Sequence, residues 1–218
     1  MSTLRSASVL AGSALSVLLS LAAAERPELA LDGYELISEI VFDQADPGHR
    51  FVDFPAGASQ TATILGRPCR VLANPDGGSV RYLAVRLAEG AGLQAGRPYL
   101  LEVVYPEDQP RCMLVLNQGC ERVSGFHTGG TVGDALHAPY VGSNAESIDY
   151  PLTGGWQRWQ TLFHLHHRTP GIKRPRGTDA DRPLEPADGF WVVLAHWQHS
   201  DAPRSAGIAV HAIRVYRA

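Results

Sequence analysis

What this sequence has little of narrows the reading first. It has two methionines, three cysteines and a charged fraction of only 19%. Beyond residue 25 there is no uncharged apolar run long enough to cross a bilayer as a helix. No ten-residue segment there repeats its apolar residues at helical spacing either, which argues against a bundle or a doubly wound fold. C-x-x-C, H-E-x-x-H and G-x-S-x-G are missing, so a zinc knuckle, a zincin and a nucleophile elbow have no support. No repeat of solenoid or propeller period is present. The formal net charge of −3 is mild and evenly spread, unlike that of a nucleic-acid-binding chain.

Residues 1–24 carry one charge, Arg5, then an apolar stretch diluted by Ser and Gly, and close on Leu21-Ala22-Ala23-Ala24. That order of basic, apolar and small-residue segments reads as a secretory signal peptide cut before Glu25. The expectation is a secreted or periplasmic protein whose residues 25–218 form one domain, with no membrane attachment after cleavage. An oxidising compartment permits one disulfide among Cys69, Cys112 and Cys120 and leaves one thiol over; spacing does not choose the pair.

From residue 32 the pattern is apolar alternation in short runs, punctuated by turns rich in Gly and Pro. The runs are 34–42, 51–54, 61–65, 69–72, 80–87, 99–105, 111–117, 157–165, 190–197 and one long closing strand at 208–216. Asp46-Pro47-Gly48, Pro55-Ala56-Gly57 and Gly66-Arg67-Pro68 supply turns. This predicts an all-β protein, an antiparallel β-sandwich. Residues 190–197 are apolar on both faces, as a central strand would be. Trp159 and Trp191 are assigned to the core, with Ile213 and Val215 as anchors. Two stretches break the rhythm. Residues 120–150 combine many glycines with aromatics and histidines, as a functional loop would. Residues 168–188 crowd Pro, Gly, Lys, Arg and Asp around one Ile and one Leu, which predicts a solvated, dispensable loop.

Two phrases, together with the strand rhythm and the closing strand at 206–217, carry a resemblance. One is Gly125-Phe126-His127-Thr128-Gly129 followed by Gly133-Asp134. The other is Glu146-Ser147, then Tyr150-Pro151-Leu152-Thr153-Gly154-Gly155-Trp156 leading into Trp159. Over most of 32–218 the chain resembles the galactose-binding-like jelly-roll domains that accompany catalytic domains in secreted bacterial carbohydrate-active enzymes. The resemblance implies a jelly roll and a carbohydrate-binding role, with a catalytic partner in another or a longer chain.

The residues point the same way by themselves. Sugars are held by aromatic faces against their C–H sides and by polar groups that satisfy their hydroxyls. Trp156, Tyr140 and Trp197 offer the first; His127, Asp134 and Glu146 offer the second. Trp156 follows two glycines and precedes the apolar face begun by Gln157, so it is expected on the polar side of its strand as a stacking surface. His164 with His166, and His196 with His199, are read as histidines scattered over polar surface, with no metal site expected. Asp43, Asp46 and Asp201 lie in turns whose oxygens suit structural calcium, though no D-x-D-x-D pattern supports it. Catalysis would need paired groups in one cleft; Asp134, Glu146, Asp149 and His127 are the only candidates, and no activated nucleophile stands beside them. The sequence therefore favours a non-catalytic carbohydrate-binding module recognising a polysaccharide or cell-surface glycan. A small secreted glycan-active hydrolase or lyase, and a ligand-free domain packing on a catalytic partner, are the alternatives.

Overall fold

The computed structural model describes residues 31–43, 51–73, 81–109, 111, 113–116, 152–169, 171–172, 183–196 and 206–218. The proposed signal peptide and residues 120–150 lie outside this set. Eleven strands appear among the described residues: β1 Glu35–Val41, β2 Phe51–Phe54, β3 Gln60–Ile64, β4 Arg67–Ala73, β5 Arg81–Leu87, β6 Pro98–Pro106, β7 Leu114–Leu116, β8 Trp156–His164, β9 Phe190–His196, β10 Gly207–Val210 and β11 Ala212–Arg217. Every pairing is antiparallel. The one helical piece among them is a 3₁₀ turn at Pro186–Asp188. The fold is the expected antiparallel jelly-roll β-sandwich.

Two four-stranded sheets, β1-β11-β6-β8 and β2-β5-β9-β7, form the layers, and a three-stranded sheet, β10-β4-β3, adjoins them. The core lies between the layers, where alternation delivers one face of each strand. Leu83, Val85 and Leu87 of β5 and Phe190, Val192 and Leu194 of β9 come from one sheet. They meet Tyr99, Leu101 and Val103 of β6 and Ile213 and Val215 of β11. Leu72, Ile208 and Val210 of the small sheet complete the same cluster. Trp159 and Phe163 of β8 pack against it while staying half-buried.

The sheet β2-β5-β9-β7 is apolar on its outer face as well. Ala84, Trp191, Val193, Ala195 and Leu116 make a second cluster there with Ile172 and Leu184. Thus β9 is buried on both faces because two separate cores need it. This corrects the expectation for 168–188. Ile172 and Leu184 are only 2% and 1% exposed, and Thr169 and Leu184 exchange two backbone hydrogen bonds of 2.8 Å. The two large aliphatic residues of a polar stretch clamp its ends onto the sheet; Pro170 and residues 173–182 lie outside the described set.

Two further expectations change. The closing strand is two strands: β10 pairs with β4, and β11 pairs with β1 and β6. The chain passes between sheets at His211, whose N–H donates to Val104 O at 2.8 Å and whose carbonyl accepts from Phe42 N at 2.8 Å. The run 208–216 holds no Gly or Pro to mark this bend, and both of its halves are strands. The β3–β4 turn is Leu65-Gly66, with φ of 46° and 78°, and not Gly66-Arg67-Pro68. Two successive left-handed residues give the twist a two-residue hairpin needs. Pro68 is accommodated within β4 because it lies beyond the last residue paired with β10, which is Arg70 opposite Val210.

A polar cluster ties β2 and β3 to β4. The Asp53 carboxylate accepts from Gly57 N at 2.8 Å, Ser59 N at 2.9 Å and the Ser59 hydroxyl at 2.6 Å. Arg70 Nε donates to the Ser59 oxygen at 2.8 Å, and its guanidinium lies 4.8 Å from the Phe51 ring centre. Burial opposes charge on Asp53, but the Ser59 and Gly57 hydrogen bonds and the nearby Arg70 outweigh it and hold the carboxyl below its ordinary value.

Candidate functional site

Because the sheet β2-β5-β9-β7 is covered on its outer side, the outer face of β1-β11-β6-β8 is where polar side chains collect. Alternation sends Trp156, Arg158, Gln160, Leu162 and His164 of β8 outward, opposite Pro106, Val104, Glu102, Leu100 and Pro98 of β6. On β11 the outward set is Ala212, Arg214 and Tyr216; on β1 it includes Leu36 and Glu39. Leu162 is 55% exposed, and Leu36, Glu39 and His164 are exposed with it.

Register then builds a row across all four strands. Glu39 pairs with Arg214, Arg214 with Glu102, and Glu102 with Gln160. Directly opposed side chains are about 5 Å apart, so they interact. Arg214 Nε donates to Glu39 Oε1 at 2.6 Å and its Nη1 to Glu102 Oε1 at 2.8 Å. Gln160 Nε2 donates to Glu102 Oε2 at 2.7 Å, and the Tyr216 hydroxyl donates to Glu102 Oε1 at 3.4 Å. Arg158 Nη1 stands 3.7 Å from Glu102 Oε2.

Glu102 is 0% exposed, although its strand face looks outward, because these longer side chains close over it. A buried carboxylate is tolerable only with such partners. Burial opposes charge on Arg214, but its bonds to Glu39 and Glu102 win, and the guanidinium is held above its ordinary value. Burial, with the Glu102 charge beside it, also pushes the Tyr216 phenol up. Both oxygens of Glu102 are therefore committed to donors, and it serves to hold those donors in place.

Trp156 stands at one end of this face. The turn before it is pinned to the end of β6 by Glu107, whose carboxylate accepts from Thr153 N at 3.0 Å and the Thr153 hydroxyl at 2.6 Å. Gly154, at φ 65°, lets the chain reverse within that turn. Glu107 N then donates to Gly155 O at 2.9 Å, which sets Trp156 opposite Pro106. The indole is half-buried. The Arg67 guanidinium lies 5.1 Å from its ring centre, the His211 ring is 5.3 Å away and tilted by 58°, and its N–H points to Leu65 O at 3.4 Å. His211 is held in turn by Nδ1 at 2.7 Å from Pro68 O, so the β3–β4 hairpin supports one end of the face.

Of the sequence-predicted site residues, Trp156 is the one described. His127, Asp134, Tyr140, Glu146 and Trp197 lie outside the described residues, as do Asp46, Asp201, Cys112 and Cys120. His164 and His166 are both exposed. Among the described residues no three His, Cys, Asp or Glu side chains come together as a metal site, and no helix there is long and apolar enough to cross a membrane. Cys69 is a buried free thiol.

Sequence reasoning missed Glu102, Arg214 and Tyr216. A signal was present: Glu102 is the one charge in the apolar stretch from Tyr99 to Tyr105. A lone acid in an interior strand needs partners, and its register names them.

The strand arrangement is similar to that of several carbohydrate-binding modules. One is from Cellvibrio mixtus lichenase 5A, solved with cellotriose: 12% identity, TM-score 0.40, covering 84% of this chain and 99% of that one. Another is the C-terminal CBM6 of a laminarinase from Zobellia galactanivorans: 12% identity, TM-score 0.37, covering 83% and 99%. A third is a family 29 module from Piromyces equi: 11% identity, TM-score 0.34, covering 84% and 89%. These likenesses are of overall strand arrangement, and no ligand passes from them to this chain. No protein-family model and no curated protein matches the sequence.

Proposed function

We propose that the chain is a secreted, non-catalytic carbohydrate-binding module that docks on a polysaccharide or cell-surface glycan through the outer face of β1-β11-β6-β8. The observation that carries this reading is Glu102: a fully buried carboxylate that holds Arg214, Gln160 and Tyr216 on the outer face of β1-β11-β6-β8. Sugar hydroxyls offer many weak hydrogen bonds, and donors already fixed in place lose little entropy on binding. Trp156, half-buried at the end of the same face, is the aromatic against which a pyranose would lie. His127, Asp134, Tyr140, Glu146 and Trp197 belong to the proposal on their residue chemistry. The functional setting is a module acting beside a catalytic domain of another or longer chain.

The engaged state of the Glu102 network suits holding a ligand better than moving protons. Hydrolase or lyase action is the competing outcome, and one experiment separates the two. Residues 25–218 are run through gels containing soluble polysaccharides, and the same mixtures are assayed for new reducing ends and for the absorbance of unsaturated products. Retardation without product supports the module; product formed in proportion to protein overturns it. Trp156→Ala is expected to weaken retardation by about 1–3 kcal/mol, by analogy with stacking on planar ligands. Unchanged binding per folded molecule would remove Trp156 from the site.

A further inference from the structure

A second row crosses the same outer face, two residues along β6, β8 and β11 from the Glu102 row. Register pairs Leu36 with Tyr216, Tyr216 with Leu100, and Leu100 with Leu162, so these four side chains stand side by side over all four strands. None is charged. Leu36 is 47% exposed and Leu162 is 55% exposed; the half-buried Tyr216 and the buried Leu100 join them across the middle.

Size limits what can cover this row. Neighbouring strands lie about 4.8 Å apart and alternate residues about 6.6 Å, so the row is about 14 Å long and covers about 100 Å². A stable protein interface takes about 800 Å² from each partner, several times as much. The row matches a part of a ligand. A bare pyranose stacks on a flat aromatic face, which Trp156 offers at the far end of β8 and a leucine does not. Leucines take a methyl or a short alkyl group.

The adjoining polar row sets what that alkyl group must carry. Gln160 and Leu162 share one face of β8, and Arg214 and Tyr216 share one face of β11. Gln160 Nε2 gives one hydrogen to Glu102 and has a second. Arg214 engages Glu39 through Nε and Glu102 through Nη1, two of its five N–H groups. Both residues therefore keep donors next to the apolar row. An acetyl ester places a carbonyl oxygen, which only accepts, beside a methyl, and so meets both rows at once. An amide-linked acetyl group adds an N–H, and Glu102 cannot take it, because both its oxygens already face donors.

Resting on the carbohydrate-binding reading above, we infer that the ligand is a polysaccharide carrying O-acetyl esters, whose methyls lie on the row Leu36–Tyr216–Leu100–Leu162 and whose carbonyls accept from Gln160 or Arg214.

The test compares polymers that differ only in acetylation, by isothermal titration of residues 25–218. Xylan and glucomannan are each used in O-acetylated and de-esterified form, with N-acetylated chitin oligosaccharides alongside. The acetylated form of at least one backbone should bind about tenfold more tightly than its de-esterified form, from one buried methyl and one added hydrogen bond. Leu162→Ser, at an exposed position, should bring the two forms level, with thermal unfolding confirming that the variant folds. Equal affinity for the two forms, preference for the de-esterified one, or binding of the N-acetylated oligosaccharides alone overturns the inference and leaves the module reading standing. An undiminished preference in folded Leu162→Ser does the same, as does failure to bind any of the four polymers when other polysaccharides retard the chain in gels. No binding to any polymer, in titration or in gels, overturns both.

Discussion

Replacing Glu102 by Gln tests whether one carboxylate organises the face. The side chain keeps its shape and loses its charge. Two short bonds are affected, from Arg214 at 2.8 Å and from Gln160 at 2.7 Å. A hydrogen bond to a charged group contributes about 1.5–3 kcal/mol and a neutral one about 0.5–1.5 kcal/mol, so neutralisation costs about 1–1.5 kcal/mol at each. The new amide would also set donor against donor at Gln160, but Gln160 can turn its own amide and present its oxygen. Arg214 keeps Glu39 at 2.6 Å, and Arg158, at 3.7 Å and partly exposed, adds little. The expected loss is about 2–3 kcal/mol, or about 4–12 °C in melting temperature for a chain of this size. Urea unfolding followed by circular dichroism should show a lower midpoint with an unchanged slope. Glu102→Met combined with Arg214→Met should be more stable than the two single effects summed, because an apolar pair leaves no orphaned charge. A Glu102→Gln change below about 0.5 kcal/mol would refute the reasoning, since surface substitutions do as little.

Ile172→Ala or Leu184→Ala should each cost about 2–4 kcal/mol in the same unfolding assay, because both fill the second core. Excising 173–182 with a Gly-Ser bridge should cost far less; equal losses would show that the clamp residues matter no more than the segment between them. Asp53→Asn is expected to destabilise at neutral pH. The folded Asp53 carboxyl titrates below its ordinary value of 3.8, so its contribution is complete above that pH and is lost as pH falls through the lower folded value. The gap between the variant and the wild type, followed by urea midpoint, should therefore close below about pH 4; a gap that persists there would detach the effect from ionisation.

Much of the fold is legible in the residues themselves, because a strand with one buried face must alternate. Residues 34–42, 51–54, 80–87 and 99–105 delimit β1, β2, β5 and β6 to within one or two positions. The apolar character of β9 on both sides announces burial on both faces. Local chemistry also places Trp156 at a strand start after two glycines, facing away from Trp159. Other features depend on partners distant in sequence. Residues 168–188 look solvated because only two of their side chains, Ile172 and Leu184, are large and aliphatic, and only the outer surface of β5 and β9 shows where those two go. The bend at His211 falls inside a run without Gly or Pro, and only pairing shows that β10 and β11 join different sheets. Above all, periodicity assigns Glu39, Glu102, Gln160 and Arg214 each to a strand face, but hydrogen-bond register alone sets them side by side. A one-residue slip in any of the three pairings would send one of them into the core and dissolve the row.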